Sequence, residues 1–243
     1  MRVLPVLALL LAASSAMAAS APSDPPLVAA VKTGDLDGLK AALASGAAVG
    51  DKDAFGWTAV MWAVKGGNAA MVQALLDKGA DLRPADPPGF DAMIEAARGG
   101  RADVVALLAK KGFSCRAKDA TGTPAIAYAA SQTTTATADA LLACKARVDE
   151  RDAKGATPLI RAAQLGAKDM VAFLLAKGAK ANAQDGAGYT ALMWAAHAGR
   201  ADVAKALLAQ GADPALKGND GRSAAAIAKA RGRADVSALL PAP

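Results

Sequence analysis

The chain is poor in the residues that chemistry most often needs. Among 243 residues it has one histidine, His197, and two cysteines, Cys115 and Cys144. A lone imidazole remote in sequence from both thiols cannot supply a tetrahedral zinc set. No serine has a histidine or an acid at a recognisable nucleophile spacing. The Gly66–Gly67 and Gly99–Gly100 pairs fall at expected helix ends and form no phosphate-cradling loop. No catalytic residue, metal or cofactor is therefore expected. Aromatics make up only 4% of the chain, and there is neither an arginine-rich tract nor a row of base-stacking rings. The formal charge of +6 is scattered, its longest basic run being Lys110–Lys111, so it reads as a solubility feature and nucleic acid is not an expected partner. Long hydrophobic runs are missing too. Beyond the N-terminus no apolar segment approaches the roughly 20 residues that span a bilayer.

The apolar residues that are present, 53% of the total, are mostly alanine and leucine. That balance suits closely packed short helices, whereas a β-rich protein would carry more Val, Ile, Thr and aromatics. The N-terminus reads as an export signal. Arg2 supplies the positive start, Val3 to Ala13 the apolar stretch, and Ala16-Met17-Ala18 the small-x-small cleavage site. Residues 1–18 are thus expected to be removed, leaving a short lead over 19–26 and a soluble mature chain of net charge +5 (six minus one, for Arg2). No cysteine follows the apolar stretch to carry a lipid, and no stable membrane insertion is expected after cleavage. The signal and the alanine-rich chain behind it look bacterial, which makes the expected address the periplasm or the exterior.

The strongest pattern is periodic. Gly56, Gly89, Gly122, Gly155, Gly188 and Gly221 recur at an interval of 33 residues, the mark of a stacked repeat array. Counted from that glycine, Gly34, Gly67, Gly100, Gly166, Gly199 and Gly232 stand at position eleven, and Gly46, Gly79, Gly112, Gly178 and Gly211 at position twenty-three. Two helices per unit, each ending in glycine, account for this spacing. Thr58, Thr157 and Thr190 are placed to cap the first helix, with Pro158 at a first helical position. Alanine pairs such as Ala96–Ala97 and Ala162–Ala163 allow close helix approach. Leucine pairs such as Leu75–Leu76 and Leu174–Leu175 supply the core from the second helix.

Thr157-Pro158-Leu159-Ile160-Arg161-Ala162-Ala163, followed by Gly166 and Lys177-Gly178-Ala179, resembles the ankyrin repeat motif. Gly188-Tyr189-Thr190-Ala191-Leu192-Met193-Trp194-Ala195-Ala196 is similar to it, with Ala in the Pro slot. The resemblance implies an all-α solenoid of about seven helix-turn-helix units with projecting β-turn fingers. It forms one domain over 27–241, with units starting near 27, 53, 86, 119, 152, 185 and 218. It also implies a concave face built from the fingers and the exposed edge of the first helices, where another protein binds. Carried over position by position, that face comprises Phe55, Trp57, Lys65, Phe90, Arg98, Lys154, Gln164, Tyr189 and His197; aromatics and arginine are the residues that anchor interfaces. Trp62, Glu95, Tyr128, Arg161 and Trp194 share position six, expected to pack between neighbouring first helices. Asp53, Asp119, Asp152 and Asp185 recur in the fingers, where a short carboxylate orders a turn by accepting backbone hydrogen bonds.

The fourth unit departs from the rule. Thr133 and Lys145 replace both helix-ending glycines, and its second helix would include the β-branched run Thr133-Thr134-Thr135. Cys115 and Cys144 flank this unit. Stacked units lie on the order of 10 Å apart, while a disulfide needs Cα atoms within about 7 Å. Either the irregular ending at Lys145 brings the two together, or Cys115 is a small core residue. The function expected is a monomeric, non-catalytic protein-binding module. Exported ankyrin proteins of this look include a class that supports catalase-dependent protection from peroxide. An immunity or inhibitor protein against a secreted toxin is a second reading, and a small enzyme or ligand carrier using His197 or the acidic fingers a third.

Overall fold

The computed structural model describes residues 24–82 and 91–241. The export signal and Phe90 lie outside the described residues. Among the described residues fourteen helices run in seven antiparallel pairs: α1 (Pro26–Thr33) with α2 (Leu36–Ala44), α3 (Ala59–Gly66) with α4 (Ala69–Asp77), α5 (Ala92–Arg98) with α6 (Ala102–Lys110), and α7 (Ala125–Ala129) with α8 (Ala136–Ala143). They continue as α9 (Pro158–Leu165) with α10 (Lys168–Ala176), α11 (Ala191–Ala198) with α12 (Ala201–Ala209), and α13 (Ala224–Ala230) with α14 (Ala234–Ser237). No strand forms among the described residues. Isolated antiparallel bridges, Lys52 with Thr58, Lys118 with Pro124 and Lys217 with Ser223, close three of the fingers.

The sequence builds these helices for simple reasons. Alanine at most starts and through their middles costs the least to hold helical, and most first helices stop on a glycine of positive φ, as at Gly67 (80°) and Gly166 (82°). Thr157 and Thr190 accept from the backbone N–H three residues on, of Ile160 and Met193. Thr58 holds the equivalent place without doing so, and its hydroxyl is buried with no partner. Asp35, Asn68, Asp91 and Ser223 cap four further helices. First helices pack on first helices, and second helices cover them, so one elongated core runs through the stack. It holds fully buried alanine pairs such as Ala162–Ala163 and, from the second helices, Leu75, Leu108, Leu141, Leu174 and Leu207.

The fourth unit keeps two helices but alters both. α7 is the shortest first helix, and α8 begins only at Ala136, leaving Thr133 and Thr134 outside it. Lys145 takes the left-handed conformation (φ 74°) that glycine takes in the other units. The chain therefore turns after α8 as it would have done with Gly. That turn leaves Cys144, the C-cap of α8, bonded to Cys115 in the loop after α6, with Cα atoms 6.0 Å apart. The spacing between stacked helices does not apply to this pair, because Cys115 lies off the end of its helix and not within it.

Candidate functional site

Four of the described fingers are each ordered by one carboxylate. Asp53 Oδ1 accepts from the N–H groups of Phe55 and Trp57, both at 2.9 Å. Asp119, Asp152 and Asp185 repeat the arrangement with the residues two and four positions on. The second carboxylate oxygen points to position six of the same unit. It receives the indole N–H of Trp62 (2.9 Å), the hydroxyl of Tyr128 (2.5 Å), the guanidinium of Arg161 (2.5 Å) or the indole N–H of Trp194 (2.7 Å). Position six thus has a task beyond stacking: it ties the helix to its finger. Three chemically different side chains perform it because all can donate. Glu95 cannot, and pairs instead with Arg98 at 2.7 Å.

Burial alone would raise the pKa of Asp53, but the bonds from Trp57, Lys32, Trp62 and Phe55 outweigh it and hold the carboxyl at about 2. Asp119 is likewise opposed by burial, yet Tyr128, Thr121 and Thr123 bring it to about 2. Asp53 and Asp119 are therefore ionised and internally satisfied.

Around these frames lie the candidate binding residues. Phe55 stands at its finger tip 75% exposed. Trp57 is half-buried, its ring 5.0 Å from that of Trp62, and the Lys65 ammonium sits 5.0 and 4.9 Å from the two ring centres. Lys32 lies over the Trp62 ring at 4.7 Å while bonding Asp53 and Asp24, each at 3.0 Å. Arg98 is spread over Tyr128 at 4.7 Å. Lys154 and Gln164 are exposed. The structure thus gathers Phe55, Trp57 and Lys65 around one finger and spreads the others along the stack.

Two expected contributors stand differently. Tyr189 does not present its ring: it is 8% exposed, its centre 5.5 Å from Trp194, and its hydroxyl donates to Asp220 (2.6 Å) and accepts from Arg222 (2.8 Å). Gly218 stands where the preceding fingers carry Asp, and its missing Cβ leaves the space this ring fills. His197 is half-buried against the edge of Trp194 at 5.5 Å. Burial first, and then the positive charges of Arg231, Arg233 and Arg222, lower its pKa, so it is neutral at pH 7.

A further set of residues was open to sequence reasoning but escaped it. Lys118 donates to the carbonyl of Arg151 (3.0 Å), Arg151 to that of Gln184 (2.6 Å), and Gln184 to that of Lys217 (3.0 Å). Each bond joins equivalent positions 33 residues apart and links finger to finger along the array. The signal was a long donor side chain recurring at the repeat interval. Among the described residues no three His, Cys, Asp or Glu side chains are grouped to hold a metal ion, and no helix is long and apolar enough to cross a membrane.

A family model described as ankyrin repeats in three copies matches residues 27–119 and 113–185, and one of ankyrin repeats in many copies matches residues 174–228. Among solved structures, the human ASB11 ankyrin repeat domain is similar, at 25% identity and a TM-score of 0.78. That alignment covers 90% of this chain and 98% of the other. No curated protein sequence matches.

Proposed function

The chain belongs to the ankyrin-repeat family, whose repeats serve as protein–protein interaction modules, and from that premise we propose that it is a non-catalytic binding protein holding another protein on its concave face. The observation that carries this reading is Phe55, 75% exposed at a finger tip beside the paired indoles and Lys65. Its burial by a partner would contribute about 1.5–3 kcal/mol. Lys65 and Arg98, held over aromatic rings, lose little side-chain freedom on binding. Lys154 and Gln164 extend the face along the stack. The finger acids are committed to backbone and position-six donors, which accounts for their periodicity without a catalytic role.

Residues 1–18 support export, with a mature chain from Ala19 in the periplasm or outside the cell. The Cys115–Cys144 bond suits such an oxidising compartment. A part in catalase-linked protection from peroxide is proposed from the resemblance alone.

The test is capture from periplasmic extract with wild-type protein and with a Phe55→Ala/Lys65→Ala variant. Both positions are exposed, so the fold, checked by circular dichroism, is expected to be unchanged. The variant should retain its partner at least ~10-fold more weakly. Recovery of the same proteins in the same amounts by both would sink this placement of the binding face. N-terminal sequencing of the exported protein checks the start at Ala19. Unchanged survival of a deletion strain in peroxide would remove that process and leave the binding reading intact.

A further inference from the structure

Successive units meet twice, first helix on first helix and second on second, so every seam can be judged from both contacts. α7 lies along α5 but touches α9 only narrowly. α8 packs broadly on α6 and makes at most a marginal contact with α10, whereas α10 packs on α12. The seam between the fourth and fifth units is therefore the thinnest in the array. Short helices are not the reason, because the same two helices pack fully on their other side.

Three of the other seams carry a cover along this edge that the fourth seam lacks. The stem of Arg101 lies against Gly67, that of Arg200 against Gly166, and that of Arg233 against Gly199. Each arginine is the N-cap of a second helix, reaching back to the glycine that ends the first helix of the preceding unit. At the fourth seam that glycine is Thr133 and the N-cap is Ala167, whose methyl cannot reach across. A crevice of about 540 Å³ remains, lined by Ser131, Gln132 and Thr133 on one side and by Leu165, Ala167 and Met170 on the other. Leu165 is 51% exposed there.

The opposite end of the same seam is bonded. Lys118 reaches the carbonyl of Arg151 (3.0 Å), and the N–H of Lys180 donates to Asp149 (3.2 Å). The crevice lies where α7 and α9 end, while the fingers precede their N-termini, so bonds and gap stand at opposite ends of these helices. The Cys115–Cys144 bond joins the third unit to the fourth on the N-terminal side of this seam. It makes the fourth unit part of the N-terminal block.

We propose that the array moves as two blocks, α1–α8 and α9–α14, hinged along the finger edge of the seam between them, with the crevice as the side that opens and closes. Phe55, Lys65 and Arg98 ride on one block; Lys154, Gln164 and His197 ride on the other. A partner touching both sets would fix the angle, and the curvature of the concave face would adapt to it.

Spin labels carried on unnatural amino acids, which leave the disulfide intact, measure this motion. One pair spans the seam, at Ala106 of α6 and Ala172 of α10; a control pair two units apart lies within the first block, at Ala70 of α4 and Ala143 of α8. The distance distribution across the seam is expected to be about twice as broad as the control. Restoring the covering pair by Thr133→Gly with Ala167→Arg should narrow it to the control width. Equal widths in the wild-type protein would overturn the hinge, whether or not the double variant folds. A folded double variant whose distribution stays broad would overturn the crevice as the opening side.

Discussion

Lys145 is the one residue other than glycine with a left-handed φ (74°) among the described residues. A side chain there costs about 1–2 kcal/mol, partly offset because glycine would lose more entropy on folding, by about 0.5–1 kcal/mol. Lys145→Gly is therefore expected to stabilise the protein by about 0.5–1 kcal/mol, read from the midpoint of urea unfolding at constant slope. The finger carboxylates set the response to acid. Asp53 and Asp119 sit at about 2 in the folded chain, below the ordinary 3.8. Their stabilisation is complete above the unfolded value and lost as pH falls from about 4 towards 2. Acid unfolding monitored by circular dichroism should fall in that window, and Trp62→Phe, by removing one donor to Asp53, should move its onset to higher pH. The side-chain identities alone could not separate Phe55 from Tyr189. Both are finger aromatics, and only the space above Gly218, twenty-nine residues beyond Tyr189 in the chain, decides that Tyr189 is buried.

At the scale of the helix, the glycine spacing marked where nearly every element ends, because a left-handed turn after a helix admits few other residues. The same rule made the fourth unit look defective, and there it was half right. α8 forms over Ala136–Ala143 once the first threonines are left outside, and its Thr137 is buried with an unpartnered hydroxyl. Packing on α6 overrides poor helix propensity. The disulfide closes a separation of 29 residues around this unit. Replacing both cysteines by serine should lower stability by up to about 3.5 kcal/mol on loop-closure grounds. Urea unfolding of the variant against the oxidised wild type measures it, and hydrogen exchange should rise first in α7 and α8.

Over the whole molecule, each unit buries its apolar face only against a neighbour, and α13 supplies that cover for α11. Truncation after Lys217 would strip this cover from the sixth unit. The shortened protein is expected to self-associate and to unfold at a lower urea concentration; size-exclusion chromatography and unfolding curves check both. The exposed flank of the last unit, with Lys229, Arg231, Arg233 and Asp235, shows what such an end requires.

Read along the chain, the residues show the 33-residue repeat and mark the turns at which nearly every helix ends, since these follow from local backbone preferences repeated at a fixed interval. The sequence also marked the finger acids and the aberrant unit. Tertiary structure alone decided which aromatic faces solvent, that Cys115 meets Cys144, that position six reaches back to the finger carboxylate, and that the fourth seam is open. Each of these depends on what a residue in one unit meets in the next or across its own finger. Such contacts depend on the shape of the space between elements, which periodicity along the chain does not encode.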